Sequence, residues 1–150
     1  MTKRLTKEML EEMGIREVRW DPEHSEHQWI IMREWYPTGK VKEKKLIPLK
    51  ITLARGKNKY TTPKIYLKVQ FSYQGKSYSY PLGRFVYAWH KGVVEDGLDI
   101  DHKNNCPYDN HLDNLQPLTR LENIRKRYTD NPEGCWNQYE ACKKYCKKIR

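Results

Sequence analysis

The stretch at positions 97–123, GLDIDHKNNCPYDNHLDNLQPLTRLEN, constrains the fold of this chain more than any other. Leu98 and Ile100 alternate with Asp99 and Asp101, which is the two-residue period of a short strand. Asn, Asp and Pro crowd positions 103–113 and favour turns over regular structure. HLDNLQPL then predicts a returning strand. Thr119 and Glu122 stand at the T-x-x-E spacing of a capping box, in which hydroxyl and carboxylate each satisfy an amide at a helix start. The expected order is strand, loop, strand, helix. It puts Asp101-His102 at the end of one strand, with Asn123 facing the pair from the helix.

Those residue types suit hydrolysis of a phosphodiester. A neutral imidazole can take a proton from water near pH 7. A hard divalent cation held by oxygen neutralises charge developing on phosphate and leaving oxygen. The Asp101 carboxylate and the Asn123 amide oxygen are hard donors, and Mg²⁺ usually keeps several waters, so two protein ligands suffice.

The segment resembles the HNH nuclease motif, the ββα-metal fold, and is most similar to the branch found in phage and intron-encoded homing endonucleases. Asn114 lies twelve positions after His102, and Asn123 nine further on. The resemblance implies His102 as general base, Asp101 and Asn123 as ligands of Mg²⁺ or Mn²⁺, and Asn114 as the asparagine that ties the loop and holds the geometry. GRFVYAWHKG resembles the family's preceding helix, with Arg84 at its usual basic position. The likeness covers roughly positions 64–127. The loop KNNCPYDNH departs from the family's more usual Gly-containing KDGNKxNN, so its turn must differ, and Cys106-Pro107 is placed to shift it. A phage or mobile-element origin, and with it the host cytoplasm, is implied by the resemblance only.

Charge agrees with such a substrate. Lys and Arg number 29 against 19 Asp and Glu, a formal net charge of +10, the footprint expected of a nucleic-acid binder, though charge alone fixes only the partner's sign. An anionic membrane would match that sign too, but no stretch approaches the roughly 20 apolar residues of a span. Duplex DNA is the expected partner. The first residues, MTKRLTKEMLEEMG, lack the apolar core of a secretory signal, which adds to the expectation of a cytoplasmic protein. Apolar residues are 37% of the 150, so one small core is expected.

Elsewhere, positions 6–13 predict a short helix capped by Thr6 and ended by Gly14. QWIIMREWY and KVKEKKLIPLKITL predict a hairpin turning at Thr38-Gly39, its second arm strongly basic. Clean alternation at positions 65–73 predicts a half-buried strand, and QGK turns the chain into SYSYPL. Phe85, Val86 and Trp89 share one side of a helix closed by Gly92. His24 and His27 form an HxxH better read as a solvated loop than as a zinc site. Cys135, Cys142 and Cys146 fall on one side of a C-terminal helix over positions 135–149, where apolar packing is favoured and a zinc site completed by Cys106 stays open.

The expected protein is α+β: an N-terminal helix and basic hairpin over positions 1–63, serving as a DNA-binding extension; an HNH core over 64–127; and a basic helix over 128–150. The expected activity is metal-dependent DNA cleavage. The alternatives are a non-catalytic DNA-binding protein of HNH-like fold and a zinc-stabilised scaffold. Lys42, Lys44, Lys45, Arg55, Lys57, Lys59, Arg84, Arg120 and Arg125 are the expected phosphate contacts. His111 is open between phosphate contact and loop packing. One catalytic centre per chain and no advertised interface favour a monomer that nicks.

Overall fold

The structure, a computed structural model, describes residues 3–37, 42–56 and 64–130. It is α+β, with antiparallel sheets and three short α-helices among the described residues. Strand β1 (Leu5–Thr6) leads into helix α1 (Lys7–Glu12), whose start is fixed by the Thr6 hydroxyl accepting from the Met9 amide at 3.1 Å. This is the cap the sequence predicts, and Leu10 is the side chain α1 buries.

Strands β2 (Ile15–Trp20), β3 (Trp29–Trp35) and β4 (Lys45–Leu49) form one three-stranded sheet in that order. Strands β5 (Ile51–Gly56), β6 (Lys64–Tyr73) and β7 (Lys76–Pro81) form a second. The expected hairpin of β3 with a single long basic arm is therefore corrected. The arm divides at Lys50, β4 pairing with β3 and β5 with β6. Pro48 lacks an amide proton and is tolerated because β4 is an edge strand, while a one-residue crossing lets both Leu49 and Ile51 reach the core. The turn at Thr38-Gly39 lies outside the described residues. Between β6 and β7 the turn is two residues, Gln74 and Gly75, both with positive φ, the twist that tight hairpins favour.

Helix α2 (Leu82–Lys91) is the centre of the molecule. Leu82, Phe85, Val86 and Ala88 are fully buried, at 0% exposure. Burying Phe85 alone is worth about 1.5–3 kcal/mol. Around α2 gather Leu5 and Leu10 from the N-terminal elements, Ile15 and Ile31 from the first sheet, and Val69 and Phe71 from the second. One core thus spans both sides of position 63. After Gly92 the chain forms β8 (Val93–Val94), which pairs with β1.

Arg33 joins the two larger sheets. It is 4% exposed, and its guanidinium donates to the carbonyls of Met13 and Ser72, each at 2.9 Å, while lying 3.9 Å from the Trp35 ring centre and 4.8 Å from that of Phe71. Burial lowers its pKa from the usual guanidinium value, though an Arg stays charged at any ordinary pH.

The last described elements are β9 (Leu98–His102), β10 (Leu115–Thr119) and α3 (Arg120–Asp130). β9 and β10 are antiparallel, with Asp101 opposite Gln116 and His102 opposite Leu115. Thr119 Oγ1 accepts from the Glu122 amide at 3.2 Å, one half of the expected capping box. HLDN does not continue as strand: Leu112–Asn114 is a single 3-10 turn, which lets Asn114 face the loop instead of a sheet partner. No described helix is long and apolar enough to cross a membrane.

Candidate active site

His102 ends β9 beside a loop that folds back on itself. Asn105 takes a left-handed φ of 62°, the conformation that Gly usually supplies, and its amide closes a turn onto the His102 carbonyl at 2.9 Å. An asparagine thus makes this turn without a glycine. Cys106 and Tyr108 pin the next residues by entering the core, at 0% and 8% exposure.

Asn114 ties the two ends of this loop together. Its Oδ1 accepts from the Asn104 amide at 3.1 Å, and its Nδ2 donates to Asn104 Oδ1 at 3.0 Å and to the Asp109 carbonyl at 2.7 Å. The Lys103 amide donates to the Asn114 carbonyl at 2.8 Å. Main chain and side chain of one residue therefore hold both arms of the loop.

Asn110 is the residue that sequence reading missed. It is 1% exposed, and its Oδ1 lies 2.8 Å from His102 Nε2. Its Nδ2 donates to the Pro107 carbonyl at 3.2 Å, which orients the amide and leaves Oδ1 as acceptor. With Oδ1 as acceptor, His102 Nε2 is the nitrogen that carries a proton, and a neutral ring in this arrangement has Nδ1 as its basic atom. The Trp29 indole donates to the Asn110 carbonyl at 2.9 Å, tying this pair to the first sheet. In sequence Asn110 is one more turn former in YDNH, and no local pattern marks it as buried.

Gly83 lets α2 approach the pair. A Cβ at this position would sit 3.0 Å from Asn110 Oδ1, 3.3 Å from Leu115 Cδ2 and 3.6 Å from His102 Nε2. The helix backbone is the floor under the imidazole.

Asp101, next to His102, is positioned by its opposite neighbour: Gln116 Nε2 donates to Asp101 Oδ2 at 2.9 Å. The Asp101 side chain is 12% exposed and has a cation beside it, Lys126 Nζ, 3.4 Å from Oδ2. The same ammonium donates to the His102 carbonyl at 3.3 Å and to Asn105 Oδ1, and lies 3.1 Å from Asp130 Oδ2. Oxygens of four residues converge on one positive charge, so the surroundings of Asp101 suit a hard cation. Asn123 is half-buried on α3, one turn before Lys126 and on its side of the helix by the i, i+3 spacing. Among the described residues, no three His, Cys, Asp or Glu side chains gather as a metal-holding cluster.

The expected DNA contacts divide. Lys42, Lys44 and Lys45 are exposed, with Lys44 Nζ 5.3 Å from the Trp35 ring centre. Arg120 and Arg125 are exposed on α3. Arg55 lies in β5, and Lys57 and Lys59 fall outside the described residues. Arg84 is corrected. It is 7% exposed and donates to the carbonyls of Leu98, at 3.0 Å, and Lys3, so its guanidinium clamps α2 to the N-terminus and β9 and is turned away from any surface ligand. Burial lowers its pKa from the usual guanidinium value, with Asp99 acting in the opposite direction. His111 packs edge-on against Trp20, ring centres 4.7 Å apart, and its Nδ1 accepts from the Asp113 amide at 3.3 Å.

At the other histidine motif, His24 Nδ1 lies 2.9 Å from Asp21 Oδ1, and that hydrogen bond lowers the Asp21 pKa. Cys135, Cys142 and Cys146 lie outside the described residues.

Residues 80–125 match the family model described as HNH endonuclease. The matched stretch runs from the end of β7 to the second turn of α3, and so contains Asp101, His102, Asn110, Asn114 and Asn123. This HNH-like segment suggests nuclease activity, with DNA as the substrate class and a divalent metal as the usual cofactor of such enzymes. No curated protein and no solved structure matches the chain.

Proposed function

We propose that the protein is a metal-dependent DNA endonuclease in which water activated at His102 attacks a backbone phosphate. The observation that carries this reading is the His102–Asn110 pair, a buried amide that fixes the imidazole as its Nε2–H tautomer beside a carboxylate already paired with a cation. A base must be neutral and must present its lone pair, and this hydrogen bond fixes where that lone pair lies. Asn114 keeps the loop closed and so keeps Asn110 under the ring.

Asp101 and Asn123 are the proposed ligands of Mg²⁺ or Mn²⁺. Bound there, the ion would stabilise negative charge on the phosphate and the leaving oxygen. Gln116 holds the Asp101 carboxylate in place through Oδ2. Lys42, Lys44 and Lys45 in and beside β4, and Arg120 and Arg125 on α3, are the proposed contacts to the backbone of duplex DNA. On this reading β9, β10 and α3 are the ββα-metal unit. The likeness to phage and intron-encoded homing enzymes makes a monomeric nicking enzyme of that kind, acting in a host cytoplasm, the proposed biological setting.

The test is incubation of supercoiled plasmid with the purified protein in Mg²⁺, in Mn²⁺ and in excess EDTA. Cleavage in either metal and none in EDTA is the expected outcome. Full cleavage in EDTA, or none in any metal, would overturn the proposal.

A further inference from the structure

We propose that Lys126 is a built-in counter-cation of Asp101, which competes with a divalent ion for that carboxylate and must withdraw from it before the ion binds. The inference rests on the reading of Asp101 as a metal ligand given above, and extends it to a residue just beyond the stretch that matches the HNH family.

Four contacts carry it. Lys126 Nζ lies 3.4 Å from Asp101 Oδ2, 3.3 Å from the His102 carbonyl oxygen and 3.1 Å from Asp130 Oδ2, and it also donates to Asn105 Oδ1. The Lys126 side chain is only 19% exposed and that of Asp101 only 12%, so the pair is screened much less than a surface ion pair. An ammonium has three protons to donate, and here oxygens of four residues surround it. Lysine is also suited to leave, since its charge sits on a flexible four-carbon stem. Asp130, one turn further along α3, is a partner that the ammonium can keep when it leaves Asp101: its carboxyl pKa is lowered, first by the Asn105 hydrogen bond and then by Lys126.

Two positive charges cannot share one carboxylate oxygen at this range. At an effective dielectric near 20, unit charges about 4 Å apart interact by an amount equal to about a thousandfold in an equilibrium constant, and relaxation of the lysine reduces this to about tenfold. The metal therefore binds more weakly than its oxygen ligands alone would allow.

The experiment is Mn²⁺ and Mg²⁺ binding to the full chain without DNA, by calorimetry, for the wild type, Lys126→Met and Lys126→Arg, with circular dichroism to verify folding. Lys126→Met should bind metal about tenfold more tightly, and Lys126→Arg, which keeps the charge, should not. In parallel, the side-chain ammonium resonance of Lys126 in the folded wild type should be protected from exchange without metal and lose protection on saturation with Mg²⁺. Equal or weaker metal binding by Lys126→Met, or an ammonium resonance unchanged by saturating Mg²⁺, would overturn the competition while leaving metal-dependent cleavage standing. Absence of metal binding by wild type and both variants would overturn the metal reading along with it.

Discussion

His102 Nε2 and Asn110 Oδ1 lie 2.8 Å apart, and Asn110 is buried to 1% exposure. The hydrogen bond fixes the ring by its far nitrogen, so the orientation of the imidazole depends on a residue eight positions away.

Asn110→Ala should remove the acceptor of the Nε2 proton and release the ring to its other tautomer. A buried donor without its partner costs about 1–3 kcal/mol of stability. Single-turnover cleavage should fall about tenfold or more, while the affinity for DNA holds, because the proposed phosphate contacts lie elsewhere. The tautomer can be read directly from the ¹⁵N shifts of the His102 ring. Wild-type cleavage together with an unchanged Nε2–H tautomer would remove Asn110 from the account.

Gly83→Ala tests the same geometry from below. Its new Cβ would sit 3.0 Å from Asn110 Oδ1, tighter than ordinary contact, so the amide and the ring above it must shift. Alanine favours a helix, which offsets part of the overpacking cost of about 1–3 kcal/mol. Cleavage should therefore suffer more than the melting temperature. A variant that melts several degrees lower yet cleaves normally would contradict this.

Much of this arrangement was legible in the sequence wherever the signal is local. Thr6 and Thr119 cap the helices they predict, and the alternation of Leu98, Asp99, Ile100 and Asp101 produces the strand that ends at His102. What was not legible depends on partners far along the chain. Asn110 reads as a turn former until Trp29, 81 positions earlier, is seen to bond its carbonyl. Arg84 reads as a surface cation until Lys3 and Leu98 are found to accept its protons. The division of the basic arm at Lys50 depends on which sheet each half meets, and periodicity is silent about that.

Acid should loosen α3 before it unfolds the core. The Asp130 carboxyl pKa is lowered from the ordinary 3.8, chiefly by its hydrogen bond from Asn105 and next by that from Lys126. A depressed carboxylate contributes stability that is present above its unfolded pKa and lost as pH falls through the lowered folded value. Amide protection over positions 120–130 should thus decline below about pH 4 in the wild type, and the decline should be smaller in Asp130→Asn. Identical acid profiles for the two proteins would exclude this carboxylate as the cause.

Each chain carries one Asp101-His102 pair, while the strands of a duplex run in opposite directions. A monomer must release and rebind to cut both. On supercoiled plasmid at low protein concentration, open circles should accumulate well before linear DNA. Linear product without an open-circle intermediate would point to a symmetric dimer with two centres.

The most direct test of the central claim is single-turnover cleavage of a plasmid substrate by His102→Ala in saturating Mg²⁺, with DNA affinity measured alongside. General base catalysis usually contributes about 10² to 10⁴ in rate, so the variant should bind DNA as the wild type does and cleave it at least about 10²-fold more slowly. Cleavage at the wild-type rate by a folded His102→Ala protein would contradict the assignment of His102 as the base.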